Sequence, residues 1–242
     1  MAGRIKNIFI ELKSHAPFTL LGAVTGIVLM LLFKGLSEYS TYRLFYIFHP
    51  LHVILSAIVT TSLFRIYHKK VNFLIIFIVG YIGAVGVATI SDSIIPYFGE
   101  NILGVAVPSH EDVYGGLHKH SECKAVHAED GKPKLHLGFI EEWAIVNPSA
   151  IAGILIGFFV PRSKLPHAGH ILVSTWASAA HIMMNTHQNP TVLTIIAMFI
   201  ILFLAVWLPC CFSDIVFPML LSKGDAKEHT TCCTMGHKHG KH

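Results

Sequence analysis

Six long apolar segments set the limits on what this chain can fold into. Each is close to or above the roughly 20 residues that a helix needs to cross a bilayer. The chain is 53% hydrophobic and its mean hydropathy is +0.59, values typical of a polytopic membrane protein and not of a soluble domain. The sequence therefore predicts an all-α membrane protein with six transmembrane helices, at about 18–34, 44–67, 72–98, 145–161, 168–186 and 191–221.

The distribution of lysine and arginine predicts how these helices are oriented. Twelve of the 18 basic residues lie in the N-terminal arm, in the loops after the second and fourth segments and in the C-terminal tail, and six lie on the opposite side. This asymmetry predicts cytoplasmic termini in a multi-pass protein of the cell (inner) membrane, with the lipid bilayer as its surroundings. The net charge of +4 follows from the same distribution, so no nucleic-acid partner is expected.

Two matching strings, Ser-Asp-x-x-x-Pro, begin at Ser91 in the third segment and at Ser213 in the sixth. A carboxylate within hydrocarbon costs roughly 3 kcal/mol on insertion scales and more in simulations, so such residues are usually functional. The acids of the two strings are Asp92 and Asp214, 122 residues apart. Their matching contexts predict a duplicated unit with a functional site in each copy.

Other residues repeat in the same order and support the duplication. The matched pairs are Pro17 with Pro148, Gly22 with Gly153 and Gly26 with Gly157 at an offset of 131, and His52 with His170 and Ser56 with Ser174 at an offset of 118. Three helices per unit make the second unit inverted, an arrangement found in many secondary transporters.

The repeat predicts the organisation of the chain, with an interfacial amphipathic helix before each group of three helices. The predicted divisions are repeat 1 at 1–98, an extracytoplasmic loop rich in histidine and acids at 99–136, repeat 2 at 137–222 and a cytoplasmic Cys/His-rich tail at 223–242. The first interfacial helix is expected at 4–13, and Pro17 and Pro148 are expected to open the helices that follow.

Histidine is the residue type that points to a chemistry, since the chain has 17 and imidazole is the commonest metal ligand. In repeat 1 a histidine pair faces the aspartate in the outer third of the membrane, and repeat 2 is predicted to mirror it in the inner third. Nitrogen and oxygen ligands of this kind suit Zn²⁺, Fe²⁺, Mn²⁺, Co²⁺ or Ni²⁺ better than Ca²⁺ or Mg²⁺. The predicted metal ligands are His49, His52, Asp92, His167, His170 and Asp214.

Polar and soft side chains near these ligands are predicted to line the transport path. They are Ser56, Ser91, Ser174, Ser213, His181, Cys210 and Cys211. Residues of the outer loop and the tail are predicted to gather metal in an accessory way, namely His118, His120, Cys123, His127, Cys232, Cys233, His237 and His239. The five cysteines do not form a disulfide pattern, because two adjacent pairs lie on or near the cytoplasmic side.

These features predict a transporter of a divalent transition metal and not an enzyme, and they leave open whether transport is coupled to protons. Two alternatives stay open: a membrane-embedded metalloenzyme, and a proton-coupled carrier of a small organic solute. Dense histidine boxes on one face, as in membrane di-iron enzymes, are absent from the sequence. Glycine-rich helix faces make a homodimer plausible.

Overall fold

The structure is a computed structural model that describes residues 2–68, 72–103, 138–160, 164–185 and 191–212. Nearly all of these residues are helical, and there is no strand among them. The elements are α1 (Ala2–Phe33), α2 (Glu38–Tyr67), α3 (Phe73–Thr89), a π-helical segment (Ile90–Ile94), α4 (Ile95–Leu103), α5 (Gly138–Glu141), α6 (Trp143–Phe159), α7 (Lys164–Asn185) and α8 (Val192–Cys211).

Four stretches of the described residues are long and apolar enough to cross a membrane. They are His15–Phe33, Ser40–Ile66, Phe73–Gly99 and Val192–Cys210, and they correspond to the first, second, third and sixth predicted helices. The fourth predicted helix corresponds to α6, which is apolar but only 17 residues long. The fifth corresponds to α7, whose 22 residues include many polar side chains.

The polarity of the bundle is inverted relative to a soluble protein. Serine, threonine and histidine side chains of α2 and α7 are buried, whereas large apolar side chains of α1, α3 and α8 are exposed. Leu32 of α1 is 74% exposed and Leu193 of α8 is 77% exposed. A face of this kind is stable against lipid and not against water, so the described helices have the character of a membrane protein.

Two predictions about helix starts are wrong. Pro17 was expected to open a helix after a separate interfacial helix, but α1 begins at Ala2 and continues through Pro17. Pro148 likewise lies inside α6, and the expected lead-in at 137–146 is interrupted at Glu142, whose φ of −107° and ψ of 31° are not helical. A proline removes a single backbone hydrogen bond, and membrane helices tolerate that loss when neighbouring groups compensate.

Close contacts through glycine hold the helices together. On α6, a Cβ added to Gly153 would collide with the carbonyl oxygen of Ile54, and one on Gly157 would lie 2.7 Å from that of Ile58. On α1, a Cβ added to Gly22 would lie 2.7 Å from Oγ1 of Thr175. Without side chains at these positions, α6 packs closely on α2 and α1 packs closely on α7.

Candidate functional site

A π-helical segment, Ile90–Ile94, brings the aspartate of the third helix to the centre of the bundle. Its backbone is wider than an α-helix, since Ile95 donates its N–H to the carbonyl of Ile90, five residues earlier. Pro96 follows in the next turn, where its ring would clash with the carbonyl four residues before it in a regular α-helix. The π segment relieves that clash, and π turns of this kind often occur at functional sites.

Asp92 is fully buried, and one of its carboxylate oxygens is shared by two histidines. Nδ1 of His49 lies 2.9 Å from Oδ2, and Nδ1 of His52 lies 2.6 Å from the same atom. Both histidines belong to α2, three residues apart and therefore on one helix face. The predicted contact between this pair and Asp92 is present in the structure.

The second carboxylate oxygen of Asp92 is occupied by serine hydroxyls. Ser91 donates to Oδ1 at 2.7 Å. Ser174 and Ser178 of α7 lie at 3.4 and 3.5 Å from Oδ1, and Ser178 also donates to the carbonyl of Ser91 at 3.0 Å. The acid is thus held by groups from three helical elements. Because each of these groups can donate a hydrogen bond, they offset the cost of burying the carboxylate.

The other face of His52 meets His170 of α7. Their Nε2 atoms are 2.9 Å apart, and the rings stack with centroids separated by 4.8 Å. Sγ of Cys210, on α8, lies 3.6 Å from Nε2 of His170. The three potential ligand atoms of His52, His170 and Cys210 all lie within 4.8 Å of one another, in buried residues.

The hydrogen bonds specify what each imidazole offers. A neutral histidine that donates from Nδ1 has its lone pair on Nε2. His52 donates from Nδ1 to Asp92, so its Nε2 accepts the hydrogen bond that Nε2–H of His170 donates. The result is a buried chain from carboxylate to imidazole to imidazole, in which protons can move and nitrogen lone pairs can bind a metal.

The structure corrects the predicted separation of His170 from His52. The sequence placed it in an inner cluster separate from His52, but the two imidazoles are in direct contact. The reason is the length of α2, which begins at Glu38 and not at about 44. His52 is therefore at the midpoint of a 30-residue helix and not in its outer third.

Other predicted site residues are distributed around this cluster. Ser56 and Ser174 are fully buried, but only Ser174 reaches Asp92; the Ser56 hydroxyl has no hydrogen-bond partner among the described residues. His181 is buried with its ring centroid 5.6 Å from that of Phe45, which stacks on His49.

Several predictions cannot be placed in the structure. Ser213 and Asp214, the loop residues His118, His120, Cys123 and His127, and the tail residues Cys232, Cys233, His237 and His239 lie outside the described residues. His167 lies on α7 and Cys211 ends α8, but the described part of the chain does not include their side chains.

Sequence reasoning missed Ser178. It lies four residues after Ser174, on the same face of α7, and that spacing was the available signal.

No family model, curated protein or solved structure matches this chain. Fold and site define a helical protein with four described stretches that are long and apolar enough to cross a membrane, and with a buried cluster of His, Asp and Cys side chains.

Proposed function

We propose that the protein is a membrane transporter of a divalent transition metal ion. The observation that carries the proposal is the buried chain from Asp92 through His52 to His170, with Cys210 beside it. Ionisable side chains inside a membrane bundle are costly and are found mainly on ion and proton pathways. This cluster supplies nitrogen and sulfur atoms that suit transition metals.

The proposed architecture is six spans in two inverted three-helix units, α1 to α4 and α5 to α8 with the chain that follows, with cytoplasmic termini in the cell membrane. The glycine contacts support it, because a glycine of each unit packs against an equivalent position of the other unit. Gly22 meets Thr175 and its counterpart Gly153 meets Ala57. Positions 57 and 175 are 118 residues apart, the offset that relates His52 to His170.

The second glycine of each unit gives the same correspondence. Gly26 lies against Ala179, and its counterpart Gly157 lies against Thr61. Positions 61 and 179 are again 118 residues apart. Each first helix therefore packs on the second helix of the other unit through equivalent positions, as two-fold pseudo-symmetry requires.

The ends of α3 and α8 also correspond. They end at Thr89 and Cys211, which are 122 residues apart, the offset of the two Ser-Asp strings. The residues that follow, Ile90 and Phe212, each direct the backbone N–H to carbonyls three and four residues earlier. The α-helix thus stops at the same point of both units.

In the proposed architecture, the pseudo-two-fold axis passes between the stacked rings of His52 and His170. A site on such an axis lies where the two units meet, which is where transporters with inverted repeats bind substrate. The cluster is buried, with His52 and His170 both 0% exposed. In the proposed mechanism, an ion reaches it when the two units move relative to each other, as in alternating access.

Proteoliposomes test the proposal directly. Purified protein is reconstituted around a zinc-sensitive fluorophore, and Zn²⁺ influx is compared with that into protein-free vesicles. We expect influx with the native chain and none with His52→Ala or His170→Ala. A matched control is His68→Ala, since His68 lies at the end of α2 and stacks on Phe64, away from the cluster.

The thermal stability of each variant in detergent shows whether it is folded. Zinc influx no faster than into protein-free vesicles, with a folded native protein, overturns the transport proposal. Influx that survives the loss of His170 overturns the site.

A proton-coupled carrier of an organic solute is the second candidate, because the Asp92–His52–His170 chain can also relay a proton. The sulfur of Cys210 at 3.6 Å from His170 favours the metal, since a proton path has no need of a thiol. A pH-sensitive dye in the same vesicles separates the two: a metal transporter moves protons only when Zn²⁺ is present.

A further inference from the structure

We propose that the cation is held by Nε2 of His52, Nε2 of His170 and Sγ of Cys210, and that Asp92 stays outside the coordination sphere as a positioning residue. The site then selects zinc-like ions that accept thiolate, Zn²⁺ and Co²⁺, over Mn²⁺ and Mg²⁺. This inference deepens the proposed function and rests on it only in taking the bound cation as the substrate.

Two of the three ligand–ligand distances are close to those around a tetrahedral ion. With metal–nitrogen bonds of about 2.0–2.1 Å and a metal–sulfur bond of about 2.3 Å, tetrahedral angles separate two nitrogens by about 3.3 Å and a nitrogen from a sulfur by about 3.6 Å. The observed separation of Cys210 Sγ from His170 Nε2 is 3.6 Å. The two Nε2 atoms, at 2.9 Å, need to separate by only about 0.4 Å once the ion replaces the shared proton. The third distance, between Nε2 of His52 and Sγ of Cys210, is the longest of the set, which extends to 4.8 Å, and it has to shorten to about 3.6 Å when the ion binds.

Hydrogen bonds already engage both carboxylate oxygens of Asp92. An ionised carboxylate offers about four lone-pair sites, and Oδ2 already accepts from His49 and His52. Oδ1 accepts from Ser91 and lies near two further serine hydroxyls. A carboxylate that receives Nδ1–H of a histidine whose Nε2 faces the metal is the usual outer partner of zinc histidines, fixing the ring and raising its basicity.

Charge balance gives a second reason to include the thiol. Asp92 as a carboxylate and Cys210 as a thiolate contribute two negative charges, which cancel those of a divalent cation when the imidazoles are neutral. A neutral assembly avoids the large cost of a net charge in a buried site. On binding, the thiol S–H bond breaks, its proton leaves to water, and its electron pair forms the metal–sulfur bond. The proton of His170 moves from Nε2 to Nδ1.

Ligand softness then decides which ions are taken. Mg²⁺ requires oxygen ligands in octahedral geometry, and Mn²⁺ also prefers carboxylate and water. Thiolate and imidazole together suit zinc. With Asp92 held away from the ion, none of the three proposed ligand atoms is an oxygen.

Cobalt(II) in the full-length protein in detergent tests the inference, because thiolate ligation gives a charge-transfer absorption band in the near-ultraviolet. We expect the band in the native chain and its loss in Cys210→Ser. The decisive companion is a single-thiol chain in which Cys123, Cys211, Cys232 and Cys233 are all serine, which should keep the band. Cys210→Ser should also weaken zinc binding by more than about 100-fold, beyond the 10–100-fold effect of outer-shell partners.

A band that persists in Cys210→Ser, or is missing from the folded single-thiol chain, overturns the inference. So does Mn²⁺ binding as tight as Zn²⁺ binding in the native protein. These failures are distinct from failure of the proposed function. A protein that moves zinc into vesicles but shows no Cys210 band is a transporter with different ligands, and one that shows the band but moves no zinc binds metal without transporting it.

Discussion

The two proposed units differ where they meet the cation and agree where they meet each other. The glycines of α1 and α6 face equivalent positions of α7 and α2, so the packing is repeated. Cys210 has its counterpart at Ala88, however, and His181 has its counterpart at Leu63. The glycine packing contacts occur in both units, so a change in one unit has to fit its equivalent in the other. The proposed cation site lies on the axis and occurs once, so a single thiol from one unit is sufficient. The comparison teaches that a symmetric frame can carry an asymmetric site.

Of the variants that probe this difference between the units, Asp92→Asn should have the largest effect, because it alters the carboxylate that only the first unit contributes to the described cluster. Asparagine has one acceptor oxygen in place of two, so His49 and His52 lose their shared charged partner. We expect zinc affinity to fall by about 10–100-fold, as for other outer-shell carboxylates. Equilibrium competition with a chelating dye measures the change.

The cobalt spectrum of the same variant separates positioning from ligation. An outer carboxylate leaves the ligand set intact, so the charge-transfer band should persist at saturating Co²⁺ with its ligand-field bands unchanged. A changed coordination spectrum would make Asp92 a ligand. Metal ligands would then lie on both sides of His52, and not only on the side of its Nε2.

Much of this site could be predicted from sequence, and the part that could not has a physical cause. The spacing of His49 and His52 places both on one helix face, and the cost of a buried acid identifies Asp92, so their contact was predictable. The contact between His52 and His170 was not. Hydropathy gives the apolar part of a helix but not its full length, and α2 has 30 residues, about 45 Å at 1.5 Å per residue.

The fold, too, was predictable in part from the sequence. Four predicted spans are helices of sufficient length and apolarity, because long apolar runs are the strongest signal in a membrane protein sequence. The prediction for the start of α1 was wrong because it applied a preference of soluble proteins, in which proline usually occupies the first turn of a helix and not its interior. In α1, Pro17 lies inside a 32-residue helix.

A moderate difference in stability is expected between alanine variants of Gly153 and Gly22, which occupy equivalent positions but are packed with different tightness. A methyl group at Gly153 meets the backbone carbonyl of Ile54, which cannot move without shifting α2. At Gly22 it meets the hydroxyl of Thr175, which can rotate at the expense of its 2.8 Å bond to the carbonyl of Ile171. We expect Gly153→Ala to destabilise by about 3 kcal/mol and Gly22→Ala by about 1 kcal/mol, within the usual range for overpacking.

Denaturation of the two variants in the same detergent measures this difference. Gly35→Ala is the matched control, because a Cβ there has nothing within 4 Å among the described residues. Equal losses at Gly153 and Gly22 would mean that the two interfaces are equally adaptable, and the asymmetry between the units would then be confined to the ligands.

The smallest departure from the native protein is expected when the thiol is moved across the axis, in Ala88→Cys combined with Cys210→Ala. Ala88 belongs to the same buried cluster as Val53, the neighbour of His52, and Cys210 belongs to the same buried cluster as Ile171, the neighbour of His170. The relocated thiol should therefore approach Nε2 of His52 and restore the cobalt charge-transfer band that Cys210→Ala alone lacks. Zinc affinity should return to within about threefold of the native value, less than 1 kcal/mol. A folded double variant without the band would mean that the axis does not pass between the two histidines.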